Sequence, residues 1–190
     1  MDNPQIAMNL LTEVGALLTG HFRLTSGLHA GQYMQCARLF QYADKASVLC
    51  KILADSFAKE SIDVVAGPAV GAVQMAFEVS RHLGVKNIFA ERVDGTLAFR
   101  RGFSLEPGAR VLVVEDTVTT GGTVRELMNV VQSLGGVVAG VGAIVDRSGG
   151  QTQFGVPFRA AVTLSIPVYD PDDCPLCREG LAIVKPGSRQ

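Results

Sequence analysis

Four short apolar runs constrain the fold more than anything else in this chain: "DVVAGP" from Asp63, "VKNIFAER" from Val85, "RVLVVE" from Arg110 and "VVAGVGAIVD" from Val137. Each is almost continuously apolar and stops at a polar or glycine-rich turn, the pattern of a strand buried on both faces. Residues 45–59, 69–83 and 124–134 lie before or between them with apolar side chains at three- and four-residue spacing, and Gly84 and Gly135 close the last two helices. Helices alternating with doubly buried strands predict parallel βαβ units, hence an α/β fold. The turns "GPAVGA", "AERVDG", "EDTVTTGGT" and "DRSGG" then open onto one sheet edge, the carboxyl side where such sheets bind ligands.

Outside this region the spacing predicts a helix over residues 4–19, ended by Gly20, and short strands around a turn from His21 to Leu39. This part resembles a cap more than a core. The proline-punctuated stretch from Pro167 to Gln190 reads as surface. A chain of 190 residues can form one domain without cross-links. A net charge of −1 provides no long-range field for nucleic acid or anionic lipid, and the expectation is a cytoplasmic protein binding neither nucleic acid nor membrane. The four cysteines, Cys36, Cys50, Cys174 and Cys177, do not form a disulfide framework at this size. Cys174 and Cys177 form one "CPLC" with no second close-spaced pair, and His21, His29 and His82 are scattered along the chain. A reduced turn with buried thiols is therefore preferred to a zinc site.

The stretch "EDTVTTGGT" carries the chemistry. Thr117, Thr119, Thr120 and Thr123 offer hydroxyl donors, and Gly121 and Gly122 allow the backbone to turn its N–H groups toward a ligand at a helix N-terminus. That suits a phosphate. Glu115 and Asp116 would repel a polyphosphate placed directly on them, but they accept well from an adjacent diol. Acids followed by a phosphate cradle describe a ribose 5-phosphate. Each residue type alone also makes an ordinary capped turn, and only their concentration favours a site.

The segment "VLVVEDTVTTGGT" resembles the phosphoribosyl pyrophosphate (PRPP) motif of type I phosphoribosyltransferases. With "LLTGHFRLTSGLHAGQYMQCARL", "GPAVGAV", "ERVDGTLAFRRGF", "VGAIVDRSGG" and "CPLCREGLAIVKPGSR", nearly the whole chain is similar to orotate phosphoribosyltransferases with a CPLC tail. The resemblance implies one domain over 1–190 with the type I phosphoribosyltransferase fold, a flavodoxin-like parallel sheet flanked by helices over about 41–149. It also implies a small hood built from about 1–40 and 150–190. The implied reaction moves ribose 5-phosphate from PRPP to orotate, with Mg²⁺ carried on PRPP and no direct protein ligand, in a homodimer.

Carried over by position, PRPP is bound by Glu115, Asp116, Thr117, Val118, Thr119, Thr120, Gly121, Gly122 and Thr123. Thr119 and Arg147 face orotate, Arg92 meets pyrophosphate, and Arg100 and Arg101 join Glu115 and Asp116 in catalysis. The same motif serves enzymes that use purines or uracil, and PRPP-sensing regulators. Arg147 and the segment His21–Arg38 are the features that point to orotate.

The pyrophosphate side departs from the pattern. The family's mobile loop usually carries a lysine, but between Glu91 and Phe103 this chain has only Arg92, Arg100 and Arg101, with Thr96 at the lysine's place. Thr25 also stands where many relatives have lysine. Arginine stays charged near neutral pH, so this loop is expected to neutralise pyrophosphate without donating a proton.

Overall fold

The computed structural model describes residues 2–186. A six-stranded sheet forms its centre, in the order β5-β4-β3-β6-β7-β8. Its strands are β3 (Val64–Pro68), β4 (Lys86–Val93), β5 (Thr96–Phe99), β6 (Arg110–Val118), β7 (Val137–Asp146) and β8 (Phe158–Thr163). All neighbours run parallel except β5, which turns back antiparallel on β4. Counting only the parallel strands in chain order, the arrangement is 2-1-3-4-5, the flavodoxin-like order, with its switch point between β3 and β6.

The four runs expected to be strands are β3, β4, β6 and β7, and their double burial is seen directly. On β6, Leu112 and Val114 join the core beneath α1 (Asn3–Glu13), α2 (Ala43–Ser56) and α3 (Val73–Leu83), while Val111 and Val113 join a second core on the other face. That second core is covered by α4 (Gly122–Ser133) through Val124, Leu127, Met128 and Val131. Alternate strand residues point to opposite faces, so a strand covered on both sides must be apolar throughout. Among the described residues no helix is long and apolar enough to cross a membrane.

Three local expectations change. The first helix stops at Glu13, not at residue 19, because Gly15 takes a left-handed backbone (φ +65°) and ends it. Leu17 and Leu18, spaced like a helix face, instead begin β1 (Leu17–Arg23), pairing with Met34 and Tyr33 of β2 (His29–Met34). Gly20 lies inside β1. The polar stretch after β4 is a hairpin: Asp94 (φ +50°) and Gly95 (φ +86°) form the two-residue turn into β5, as a Asp-Gly pair between strands requires.

The hood is smaller than the sequence implied. It is a three-stranded antiparallel sheet of β1, β2 and β9 (Val168–Tyr169), followed by the short helix α5 (Pro175–Arg178). The segment around α1 belongs to the core, where Ala7 and Leu11 are fully buried, and β8 is an edge strand of the central sheet.

Candidate active site

Glu115 and Asp116 do not end their strand. β6 continues to Val118, with Glu115 opposite Ala143, Thr117 opposite Val145 and Val118 opposite Asp146 on β7. The acids are thus held by the sheet, next to the switch point. A Cβ on Gly71, in the turn after β3, would come within 3.4 Å of Asp116 Oδ2. No ion pair among the described residues includes either acid. Burial, and for Glu115 the adjacent charge of Asp116, pushes both carboxyls above their ordinary range. Two half-buried carboxyls with no cation beside them keep acceptor capacity that the protein does not use.

The loop after β6 is fastened from outside. Arg125 donates to the Thr120 carbonyl at 2.6 Å and to the Gln153 carbonyl at 2.8 Å, with its guanidinium 5.0 Å from the Phe154 ring centre. Thr152 Oγ1 donates to the Thr119 carbonyl at 3.0 Å. Gly121 is required: it has φ +76°, and a Cβ there would lie 2.7 Å from Phe154 Cε1 and 2.8 Å from Arg125 Nη1. Glu115, Thr117, Val118, Thr119, Thr120, Gly121, Gly122, Thr123 and Val124 line a hollow of ≈150 Å³ at the start of α4. The first N–H groups of a helix have no partner within it, so the hollow offers free donors of the kind an anion takes.

A second cavity, of ≈700 Å³, shares Thr117, Thr119 and Thr120 with the first. Asp116 and Arg147 line it from the core, and Leu24–Ser26, Tyr33 and Met34 line it from the hood. Phe22 is instead buried in the hood, its ring 5.9 Å from that of Tyr33. Two buried polar atoms here have no protein partner, Thr117 Oγ1 and Arg147 Nε. Burial also lowers the pKa of Arg147 from the ordinary arginine value. Buried polar groups are nearly always satisfied, so unpaired ones on two residues of this lining set it apart from ordinary surface.

Arg147 is placed by a neighbour the sequence reading passed over. Asp146, itself buried, accepts from Ser148 N (2.8 Å), Ser148 Oγ (2.7 Å) and Gly150 N (3.0 Å), which folds "DRSGG" into a tight turn. An aspartate two residues before a serine and ahead of two glycines is the recognisable signal for such a turn. The Arg147 amide is bonded to the Val118 carbonyl at 2.7 Å, which ties the turn to the end of β6.

The three loop arginines stand apart. Arg92, Arg100 and Arg101 line a separate pocket of ≈420 Å³ with Glu91 and Val93. Arg92 is paired with Glu126 on α4, and Arg101 is bidentate to Glu91 at 2.9 and 2.8 Å. Thr96 Oγ1 is bonded to the Val93 carbonyl within the hairpin turn. Within one chain the structure therefore joins the acids, the threonine loop and Arg147, and leaves the arginines outside that group.

Residues 39–153 match the family model for the phosphoribosyl transferase domain. A protein of Desulforamulus reducens named orotate phosphoribosyltransferase is 50% identical over 188 residues, 99% of this chain and 98% of its own. One of Pelotomaculum thermopropionicum with the same name is 52% identical over 181 residues, 95% of each. The crystal structure of orotate phosphoribosyltransferase from Aeropyrum pernix superposes with a TM-score of 0.70 at 27% identity, over 84% of this chain and 93% of that one. Likeness at this level runs through sheet and hood alike, and the chain belongs to the orotate phosphoribosyltransferase family.

Proposed function

We propose that this protein transfers ribose 5-phosphate from PRPP to orotate, forming orotidine 5′-monophosphate and pyrophosphate. The observation that carries this reading is a pair of adjoining cavities that share Thr117, Thr119 and Thr120. One is the hollow at the start of α4, with Glu115 in its wall, and the other is lined by Asp116 and the half-buried Arg147.

The phosphate hollow takes the 5′-phosphate on the N–H groups of Gly122 and Thr123 and on the threonine hydroxyls. Glu115 and Asp116 accept from the two ribose hydroxyls. As the bond from C1 to pyrophosphate breaks and the bond to the orotate ring nitrogen forms, C1 gains oxocarbenium character, and a fixed negative field beside the sugar stabilises it. The proton of the ring nitrogen passes to the departing pyrophosphate, which balances the exchange. Arg147 is a suitable partner for the orotate carboxylate, because a guanidinium pre-placed in a partly desolvated site binds carboxylate strongly.

The two acids have no protein cation beside them, so the surroundings suit the positive charge of Mg²⁺ carried on PRPP without a direct protein ligand. Bound there, the ion would offset charge on the departing pyrophosphate. The arginine hairpin lies outside the cavity of its own chain, which supports a homodimer in which Arg92, Arg100 and Arg101 reach pyrophosphate in the neighbouring site.

The test mixes purified protein with PRPP, Mg²⁺ and orotate, uracil, adenine or hypoxanthine in turn, following loss of base absorbance and release of pyrophosphate. Turnover with orotate alone is expected. Turnover with another base and not orotate overturns the base assignment, and PRPP binding without any turnover overturns the catalytic reading in favour of a regulator.

A further inference from the structure

His21, His29, Cys174 and Cys177 are far apart in sequence, yet one ligand atom from each lies within 4.8 Å of all the others. His21 comes from β1, His29 from β2, Cys174 from the cap position before α5 and Cys177 from its single turn. The separations are 3.1 Å for His21 Nε2 to His29 Nδ1, 3.6 Å for Cys174 Sγ to His21 Nε2, 3.7 Å for Cys177 Sγ to His21 Nε2, and 3.3 Å for Cys177 Sγ to His29 Nδ1. A tetrahedral zinc, with Zn–S of about 2.3 Å and Zn–N of about 2.05 Å, requires neighbouring ligand atoms about 3.3 Å apart for N–N and about 3.6 Å for N–S. The four distances lie close to those edges.

Hydrogen bonding alone does not account for the cluster. His21 Nδ1 lies 2.8 Å from the Leu181 carbonyl and, as a carbonyl only accepts, donates its proton there. That leaves Nε2 as a bare lone pair with three would-be donors around it, His29 Nδ1, Cys174 Sγ and Cys177 Sγ, when it can take one well. The same bond to Leu181 is the outer contact that orients a metal-bound imidazole. His21, His29 and Cys174 are buried, and the cluster does not line the cavity that holds Asp116 and Arg147.

The geometry points to a structural zinc site in the hood, with Zn²⁺ held by His21 Nε2, His29 Nδ1, Cys174 Sγ and Cys177 Sγ. Binding releases the two thiol protons to solvent. The two thiolates then cancel the charge of the ion, so the burial of a neutral centre costs little. Four protein ligands leave no open position, so the ion has no part in the group transfer. Its effect is to clamp the C-terminal segment to β1, where Val184 N bonds the His21 carbonyl at 2.8 Å and Arg23 N bonds the Val184 carbonyl at 2.9 Å. The same two-stranded hairpin carries Tyr33 and Met34 into the base cavity. Along the sequence the CPLC pair has no second close-spaced pair of ligands. An antiparallel hairpin supplies that pair instead, bringing together two histidines eight positions apart.

The test uses the whole protein, purified without chelator under reducing conditions, and measures metal by mass spectrometry of the digested sample. One zinc per chain is expected. The metal-free, reduced protein titrated with Co²⁺ should develop the visible bands of a tetrahedral ion together with near-ultraviolet thiolate charge transfer. Cys174→Ser, Cys177→Ser and His29→Ala should each lose the zinc on dialysis against a chelator that the wild type withstands, and His82→Ala, outside the cluster, should keep it. The wild-type Co²⁺ spectrum decides the matter even where a variant fails to fold. Protein that neither carries zinc nor takes up Zn²⁺ or Co²⁺, a six-coordinate Co²⁺ spectrum, or a Cys174–Cys177 disulfide in the freshly purified protein overturns the assignment.

Discussion

Arg92 on β4 donates to both carboxylate oxygens of Glu126 on α4, at 3.2 and 3.0 Å, and so is spoken for before any substrate arrives. Glu126 also accepts from Leu97 N at 2.7 Å, so one acidic side chain holds the turn end of the hairpin and restrains a cation expected to serve pyrophosphate. Glu126→Gln keeps the bond to Leu97 and weakens the hold on Arg92. The expected result is a KM for PRPP lower by roughly threefold. The stability cost should be under about 1 kcal/mol, as for a pair near one-third exposure. Steady-state kinetics and denaturant unfolding check both parts; an unchanged KM means that Arg92 only fastens the hairpin.

Arg100 and Arg101 are not equivalent. Glu91 holds Arg101, while no ion pair among the described residues involves Arg100. Arg100→Ala should lower kcat about tenfold or more, and Arg101→Ala less. If the hairpin serves the neighbouring subunit, mixing impaired Arg100→Ala with impaired Asp116→Asn raises the activity above that of either variant alone, because one of the two sites in a mixed dimer is intact. Absence of recovery after subunit exchange has been verified would place Arg100 in its own chain's site.

Asp116→Asn should reduce kcat/KM by about tenfold or more while leaving the fold intact, since it removes negative charge beside the ribose but preserves size. Activity near that of the wild type would remove Asp116 from the site.

The free protein should lose stability as pH rises. Glu115 is pushed from the ordinary value of 4.5 up to about 8, so the folded state binds a proton that the unfolded state has already lost across that interval. The associated stabilisation is full below about pH 4.5 and declines through about pH 8, with a slope of at most about 1.4 kcal/mol per pH unit. Glu115→Gln should flatten this decline and be the more stable protein at pH 8.5. Urea midpoints across the range test it, and parallel curves for the two proteins would count against the raised carboxyl.

Gly121→Ala places a methyl group against Phe154 and Arg125 at a left-handed backbone position. A loss of about 1–3 kcal/mol in stability is expected, with a raised KM for PRPP as the loop shifts. A variant with unchanged melting temperature and KM would show that the loop is less constrained than its contacts indicate.

Much of this architecture was legible because it rests on local pattern. The doubly buried strands read as apolar runs, α4 read from Val124, Leu127 and Val131, and the loop ahead of α4 stood out by its density of threonine and glycine. What escaped depends on distance along the chain or on one backbone angle. Leu17 and Leu18 kept a helical spacing, and only the left-handed Gly15 shows that the helix has already ended. Thr117 and Val118 looked like loop, but pairing with Val145 and Asp146 keeps them in β6. Asp94-Gly95 carried the hairpin signal but was read with the polar residues around it. The partners of Arg92 and Arg101, and the meeting of His21 with Cys174, come from contacts between segments that no local pattern records.

The pairing of Val118 with Asp146 has a consequence for which substrates can fit. The phosphate loop leaves the sheet just after Val118, and the turn bearing Arg147 leaves just after Asp146, on the adjacent strand. Neighbouring strands are about 4.8 Å apart, and a slip of one residue would displace one of these points by about 3.3 Å along the strand. The sheet therefore works as a ruler between sugar and base. It can be recalibrated only in whole-residue steps, so finer changes in base preference are left to the side chains of the hood.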